Sequence, residues 1–149
     1  MRKYFIDLFA GCGGLSLGLE NAGFLPAYVN ELDKDALESY LLNRDAKFPY
    51  LRSKYHGRSI HEISKRIGAL ETLRTQLKDD FGIKKKELDL VVGGPPCQGY
   101  SSIGIRRNFH VDRQEIPSNY LYRDMIKVIK FFEPEAFMFE NVEIGRAHV

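Results

Sequence analysis

The sequence contains no apolar run long enough to cross a bilayer. It also has no secretory leader, since Asp7 interrupts the stretch after Met1-Arg2-Lys3 that would have to be apolar. No membrane partner is expected, and a cytoplasmic location is. Cysteine is scarce: Cys12 and Cys97 form no C-x-x-C pair and no Cys/His ligand spacing, which speaks against a structural zinc site. A disulfide is not expected in a reducing compartment. None of the four histidines has a partner at ligand spacing, so no metal is expected. Charge of one sign is lacking too. A net charge of +2 is too mild to demonstrate nucleic-acid binding, and it does not exclude it. Neither G-x-G-x-x-G nor G-K-[ST] occurs, so a dinucleotide fingerprint and a phosphate loop are both poorly supported. What is present is ordinary: 149 residues, 44% hydrophobic and 28% charged, fit one globular domain with a moderate core.

The chain is organised around residues 88–102. Leu88 to Val92 read as a short strand buried on both faces, and the run breaks at once into Gly93-Gly94-Pro95-Pro96. Glycine admits backbone angles that a β-carbon forbids, whereas proline fixes φ and removes a donor, so the turn is stiff. It ends on Cys97. Ligands in open α/β sheets sit at the carboxyl ends of the strands, which makes a thiol there a candidate nucleophile. The alternative is a buried cysteine acting as a small hydrophobe.

The remaining elements fall around that stretch. Residues 4–9 read as a first strand, followed by the turn Ala10-Gly11-Cys12-Gly13-Gly14 and a helix over 15–22 that ends at Gly23. Such a turn lets a nucleotide-like ligand approach backbone N–H groups, or is simply a tight βα connection. Residues 27–30 read as a second strand tipped by Glu31, about twenty residues beyond the turn, where an acid can accept from both ribose hydroxyls. The alternative is that Glu31 stabilises the dipole of a helix beginning near Asp33; the glycine turn and Glu31 together favour an adenosyl ligand. Residues 43–58 are polar and Tyr-rich without clear periodicity. Ser59-Ile60-His61-Glu62 ends a short third strand and starts a helix, and helical spacing continues from Ile63 to Phe81. Lys84-Lys85-Lys86 reads as a solvated linker face, the alternative being contact with a phosphate backbone. A polar, basic stretch over 103–118 is long enough to be a functional lid. An amphipathic helix over 119–132 stops at Pro134, and residues 136–139 read as a buried strand ending in Glu140-Asn141. That pair is either part of a site or engaged in ion-pairing and capping. The expected fold is α/β: a Rossmann-like, doubly wound, mostly parallel sheet, incomplete at its C-terminal side.

Four stretches in order then resemble one family: Asp7-Leu8-Phe9-Ala10-Gly11-Cys12-Gly13-Gly14, Asn30-Glu31, Gly93-Gly94-Pro95-Pro96-Cys97-Gln98-Gly99-Tyr100-Ser101, and Phe139-Glu140-Asn141-Val142. Together they are similar to the cytosine-C5 DNA methyltransferases, with S-adenosylmethionine as methyl donor and double-stranded DNA carrying a flipped cytosine as partner. The resemblance implies catalytic roles for Cys97, Glu140 and Asn141. Cys97 would be the nucleophile, Glu140 would contact N3 and the amino group of the cytosine, and Asn141 would fix that site. It implies cofactor contacts from Phe9, from Ala10, Gly11, Cys12, Gly13 and Gly14, and from Leu15 and Pro95. Glu31 would hold the ribose and Leu32 would lie against the adenine. Ser59 stands where family members usually carry an acid for the adenine amino group. C5 of cytosine is too weak a nucleophile to attack a methyl sulfonium. Thiolate addition at C6 makes it enamine-like, and the base must leave the duplex to expose C6. The loop over 101–118 would close upon it.

The resemblance also implies a restriction-modification setting and, for the full parent, a monomer. The family's arginine motif, target-recognition region and closing motif all follow Glu-Asn-Val and are absent. Residues 143–149 resemble the translation of a sequencing adapter. The expectation is therefore a methyltransferase lobe over residues 1–142, with a non-native tail at 143–149, as a truncated fragment. Two alternatives stand beside it: a fragment that binds adenosylmethionine without turnover, and the tRNA-methylating branch, against which Gly99 argues because that branch usually has proline there.

Overall fold

The computed structural model describes residues 2–96 and 120–141. The sheet is five-stranded and parallel throughout. Its strands are β1 (Lys3–Leu8), β2 (Phe24–Asn30), β3 (His56–Gly57), β4 (Leu90–Gly93) and β5 (Ala136–Phe139). The spatial order is β3-β2-β1-β4-β5, so the chain winds outward from β1 to one side and then returns to build the other. The order reverses between β1 and β4, and the crevice beyond their carboxyl ends is where such sheets bind ligands. The crossovers carry α1 (Gly14–Asn21), α2 (Lys34–Leu42), α3 (Pro49–Ser53), α4 (His61–Ser64), α5 (Ala69–Phe81) and α6 (Tyr122–Phe132).

Alternation along the strands sorts the core. Phe5, Leu90 and Val92 pack with Leu15, Leu19 and Phe24 in a small cluster. Tyr4, Ile6, Leu8 and Val91, out of phase with them, join a larger cluster that includes Leu73, Leu77, Met125, Val128 and Phe132. The first strand, the first helix and α6 lie where the sequence places them, to within one to three residues.

Four expectations change. The second strand begins at Phe24 and not at Ala27. Pro26 cannot donate to the ladder, and the register with β1 shifts there, pairing Phe5 with Pro26 but Ile6 with Tyr28. The aperiodic stretch over 43–58 contains both α3 and the two-residue β3. The long helix from Ile63 is two helices: α4 stops at Ser64, Gly68 takes a left-handed φ of +75°, and Ile67 is fully exposed. At its far end α5 closes as expected of a glycine stop, with Ile83 N–H reaching the Leu77 carbonyl across left-handed Gly82. Finally, β5 is not buried. Phe137 is 61% exposed, because β5 pairs only with β4 among the described residues and forms the sheet edge.

Candidate active site

Two turns leave the central strands side by side. After β1 the backbone turns left-handed at Phe9 (φ +59°), unusual for a residue with a side chain, and again at Gly11 (+55°) and Gly13 (+90°), where glycine adopts it freely. Ala10 N–H bonds the Asn30 carbonyl at 3.0 Å and Gly13 N–H bonds the Ala10 carbonyl at 2.9 Å. Glu31 completes the turn: Oε2 accepts from Gly11 N–H at 2.7 Å and Oε1 from Asp33 N–H at 2.8 Å. The capping of α2 falls to Asp33, whose Oδ1 accepts from Asp35 and Ala36 N–H. Glu31 therefore bridges the glycine turn to the start of α2, and each carboxylate oxygen keeps a further lone pair for a ligand.

Beyond β4, Gly93 has no room for a side chain, and Gly94 lies against the Glu140 carboxylate. A β-carbon on Gly93 would come within 2.6 Å of the carbonyl oxygen of Leu8, its register partner on β1. One on Gly94 would come within 2.8 Å of Glu140 Oε2. Glu140 reaches that place because β5 pairs with β4, Gly93 opposite Phe139, and Glu140 N–H bonds the Gly93 carbonyl at 3.0 Å. The Glu140 carboxylate thus rests on the turn three residues before Cys97. Cys97 itself, and the 101–118 loop, lie outside the described residues, as do residues 142–149.

Between the turns lies a cavity of about 910 Å³. Phe9, Leu32, Ile60, Pro96 and Leu121 supply apolar wall, and Glu31, Asp33, Asp35, Arg58, Ser59 and His61 supply polar groups. The apolar walls and the anchored Glu31 carboxylate fit a nucleoside whose ring is sandwiched and whose hydroxyls are held. Of the residues expected to hold the cofactor, Phe9, Glu31, Leu32 and Ser59 line this space. Ala10, Gly11, Cys12, Gly13 and Gly14 form the turn that follows Phe9 and do not line the cavity, with Cys12 exposed. Leu15 packs into the small core cluster, and Pro95 is buried where its neighbour Pro96 lines the cavity. Ser59 precedes the N-cap of α4, where its Oγ accepts from His61 N–H and its N–H bonds Glu62 Oε1, both at 3.3 Å. Asn141 follows Glu140 at the exposed strand tip.

The sequence reading missed what lies behind the glycine turn. Asp7, 1% exposed, accepts from Ser16 Oγ at 2.5 Å, and Ser16 Oγ is 2.7 Å from the Tyr40 hydroxyl. Burial pushes the Asp7 carboxyl up to about 7, opposed by the Ser16 hydrogen bond and the Arg44 charge. Burial likewise raises the Tyr40 phenol, with the nearby Asp7 charge adding to it. Asn30, quoted above in Asn30-Glu31 without a role of its own, donates to the carbonyls of Gly57 and Arg58 and so pins the short β3. Among the described residues no group of three or more His, Cys, Asp or Glu could hold a metal, and no helix is long and apolar enough to cross a membrane.

The strand order, the crevice and the two turns define a Rossmann-like α/β domain with a cavity at its topological switch point. The chain belongs to the C-5 cytosine-specific DNA methylases, whose family model matches residues 4–148. It is 35% identical over 146 residues to the type II methyltransferase M1.HphI of Haemophilus parahaemolyticus, covering 95% of this chain and 33% of that protein. Against the type II methyltransferase M.AgeI of Thalassovita gelatinovora it is 33% identical over 138 residues, covering 92% and 27%. The crystal structure of a DNA modification methyltransferase encoded within an E. coli prophage matches with a TM-score of 0.61 and 28% identity, over 99% of this chain and 34% of that one. The chain thus spans about a quarter to a third of the length of these relatives.

Proposed function

We propose that residues 1–142 are the adenosylmethionine-binding and catalytic lobe of a DNA cytosine-5 methyltransferase from a restriction-modification system. The observation that carries this reading is the Glu140 carboxylate seated on Gly94 beside the cavity that Glu31, Phe9 and Leu32 wall. Adenosylmethionine, when bound, supplies an electrophilic methyl group. Phe9 and Leu32 enclose its adenine, and Glu31 accepts from the ribose hydroxyls. Cys97, as thiolate, forms a bond to C6 of a flipped cytosine, and the ring electrons gather toward C5. Protonated Glu140 holds its proton at N3 and so stabilises that charge, while Asn141 steadies the strand tip. C5 then takes the methyl group, a base withdraws the C5 proton, and the Cys97 sulfur leaves with its bonding pair, restoring the aromatic ring. The donor departs as adenosylhomocysteine.

The test is transfer of labelled methyl groups to mixed-sequence DNA, run with this chain and with any longer reading frame of the locus. Cys97→Ala is expected to abolish transfer while leaving adenosylhomocysteine binding intact, and retained turnover refutes the nucleophile. Binding without transfer in both proteins favours the non-catalytic reading, and transfer to tRNA in place of DNA favours the tRNA branch. A genomic frame that reads through residues 143–149 and stops there would move the boundary at 142.

A further inference from the structure

Arg44 is a buried cation with no role in the reading above. It is 5% exposed and lies against the Tyr40 ring, 3.9 Å from guanidinium carbon to ring centroid. Its Nε donates to Glu20 Oε1 at 2.6 Å, its Nη1 to the Tyr40 carbonyl at 3.2 Å, and its Nη2 to the Gly13 carbonyl at 3.0 Å. A buried ion pair is a poor way to gain stability, since apolar side chains of the same volume often serve as well. It does fix geometry. Of these contacts, the one to Gly13 reaches into the glycine turn, at the residue with φ +90°.

The space behind that residue is full. A β-carbon on Gly13 would meet Tyr40 Cδ2 at 2.6 Å and Arg44 Nη1 at 2.7 Å. Tyr40 in turn ties its hydroxyl to Ser16, on the first turn of α1, and through Ser16 to Asp7 at the end of β1. The turn is therefore gripped from both sides, by Glu31 at Gly11 in front and by Tyr40 and Arg44 at Gly13 behind. In a trans peptide the carbonyl and the next N–H point opposite ways. Arg44 shares the Gly13 carbonyl with the Leu17 N–H, each at 3.0 Å, and so adds a second hold on the peptide whose Gly14 N–H points the opposite way, at a helix start where no intrahelical acceptor exists.

We propose that Tyr40 and Arg44 are positioning residues that hold the Gly11–Gly14 turn, from behind, in the conformation that receives adenosylmethionine. The inference rests on the assignment of that turn to the cofactor. It is tested on the 149-residue chain by two measurements: amide hydrogen exchange at Gly11 and Gly13, the turn amides bonded to Glu31 and to the Ala10 carbonyl, followed by NMR without ligand, and adenosylhomocysteine affinity by calorimetry. Arg44→Met is expected to speed exchange at both glycines at least tenfold and to weaken affinity at least tenfold. Arg44→Lys, which can reach Gly13 or Glu20 but not both, recovers part of each. Tyr55→Phe is the control, because it removes hydrogen bonds to Gln76 and Asp80 elsewhere in the fold and lowers Tm without moving either readout. Unchanged exchange in Arg44→Met, or a change no larger than in Tyr55→Phe, overturns the proposal. Should Arg44→Met fail to fold, unchanged exchange in Arg44→Lys overturns it equally. Accelerated exchange in the variants of a chain that binds no adenosylhomocysteine leaves the grip on the turn standing and refutes the cofactor reading instead.

Discussion

Replacing Asp7 by Asn removes a buried proton-binding site and leaves its shape. In the folded chain burial raises this carboxyl from 3.8 to about 7. Below the lower value both folded and unfolded chains hold the proton, and the group does not change stability with pH. Between the two values only the unfolded chain releases it, so folding stability falls as pH rises. Above about 7 both states are ionised, and the loss is complete. The displacement corresponds to roughly 4 kcal/mol, present below pH 3.8 and gone by about pH 7. Asn has no proton to release. At acid pH its amide oxygen still accepts from Ser16, and the variant starts about 1 kcal/mol below the parent because one hydrogen bond is altered. On raising the pH the variant should overtake the parent. With an m-value of about 2 kcal/mol/M, the urea midpoint of the variant relative to the parent should climb by about 2 M. The chain contains no tryptophan, so far-UV circular dichroism is the suitable signal. A gap between the two proteins that stays flat from pH 4 to 8, or moves the other way, refutes the argument.

Two further outcomes follow from the turns. Glu31→Gln sets an amide NH₂ against either the Gly11 or the Asp33 N–H; it should lower stability by about 1–2 kcal/mol and weaken adenosylhomocysteine about tenfold by calorimetry, and unchanged affinity would remove the ribose role. Gly93→Ala drives a methyl group into the Leu8 carbonyl between β1 and β4, where neither backbone can yield; we expect a loss of about 2 kcal/mol, a fall on the order of 6 °C in Tm, and an unaltered Tm would contradict the packing.

Much of the framework could be read from the residues because local signals and tertiary packing agree there. Residues 3–22 present an apolar run, a glycine turn and a glycine-stopped helix, and each forms nearly where expected. Elsewhere the deciding contact is remote. The two-residue β3 has no pattern of its own and exists because the Asn30 side chain and the edge of β2 hold it. Apolar spacing ran on through Ile67 without revealing that Gly68 would turn left-handed. The apolar residues of β5 announced a strand but could not say whether a neighbour covers it. At the site, Glu31 and Glu140 stood out because each tips a strand, and both lie beside the crevice. Tyr40 and Arg44 did not stand out, since their value depends on meeting Gly13, 31 residues earlier than Arg44.

The placement of β1 has a consequence for synthesis. This strand leaves the ribosome before the other four, yet it occupies the middle of the sheet, and Tyr4 bonds a residue 85 positions later. Throughout that interval one of its edges has β2 and the other has nothing, although the Asp7–Ser16–Tyr40–Arg44 contacts lie wholly within the first 44 residues and can close early. The nascent chain therefore carries a finished bracket around an open-sided sheet until β4 arrives, and it is in this window that pairing with a foreign strand competes with folding.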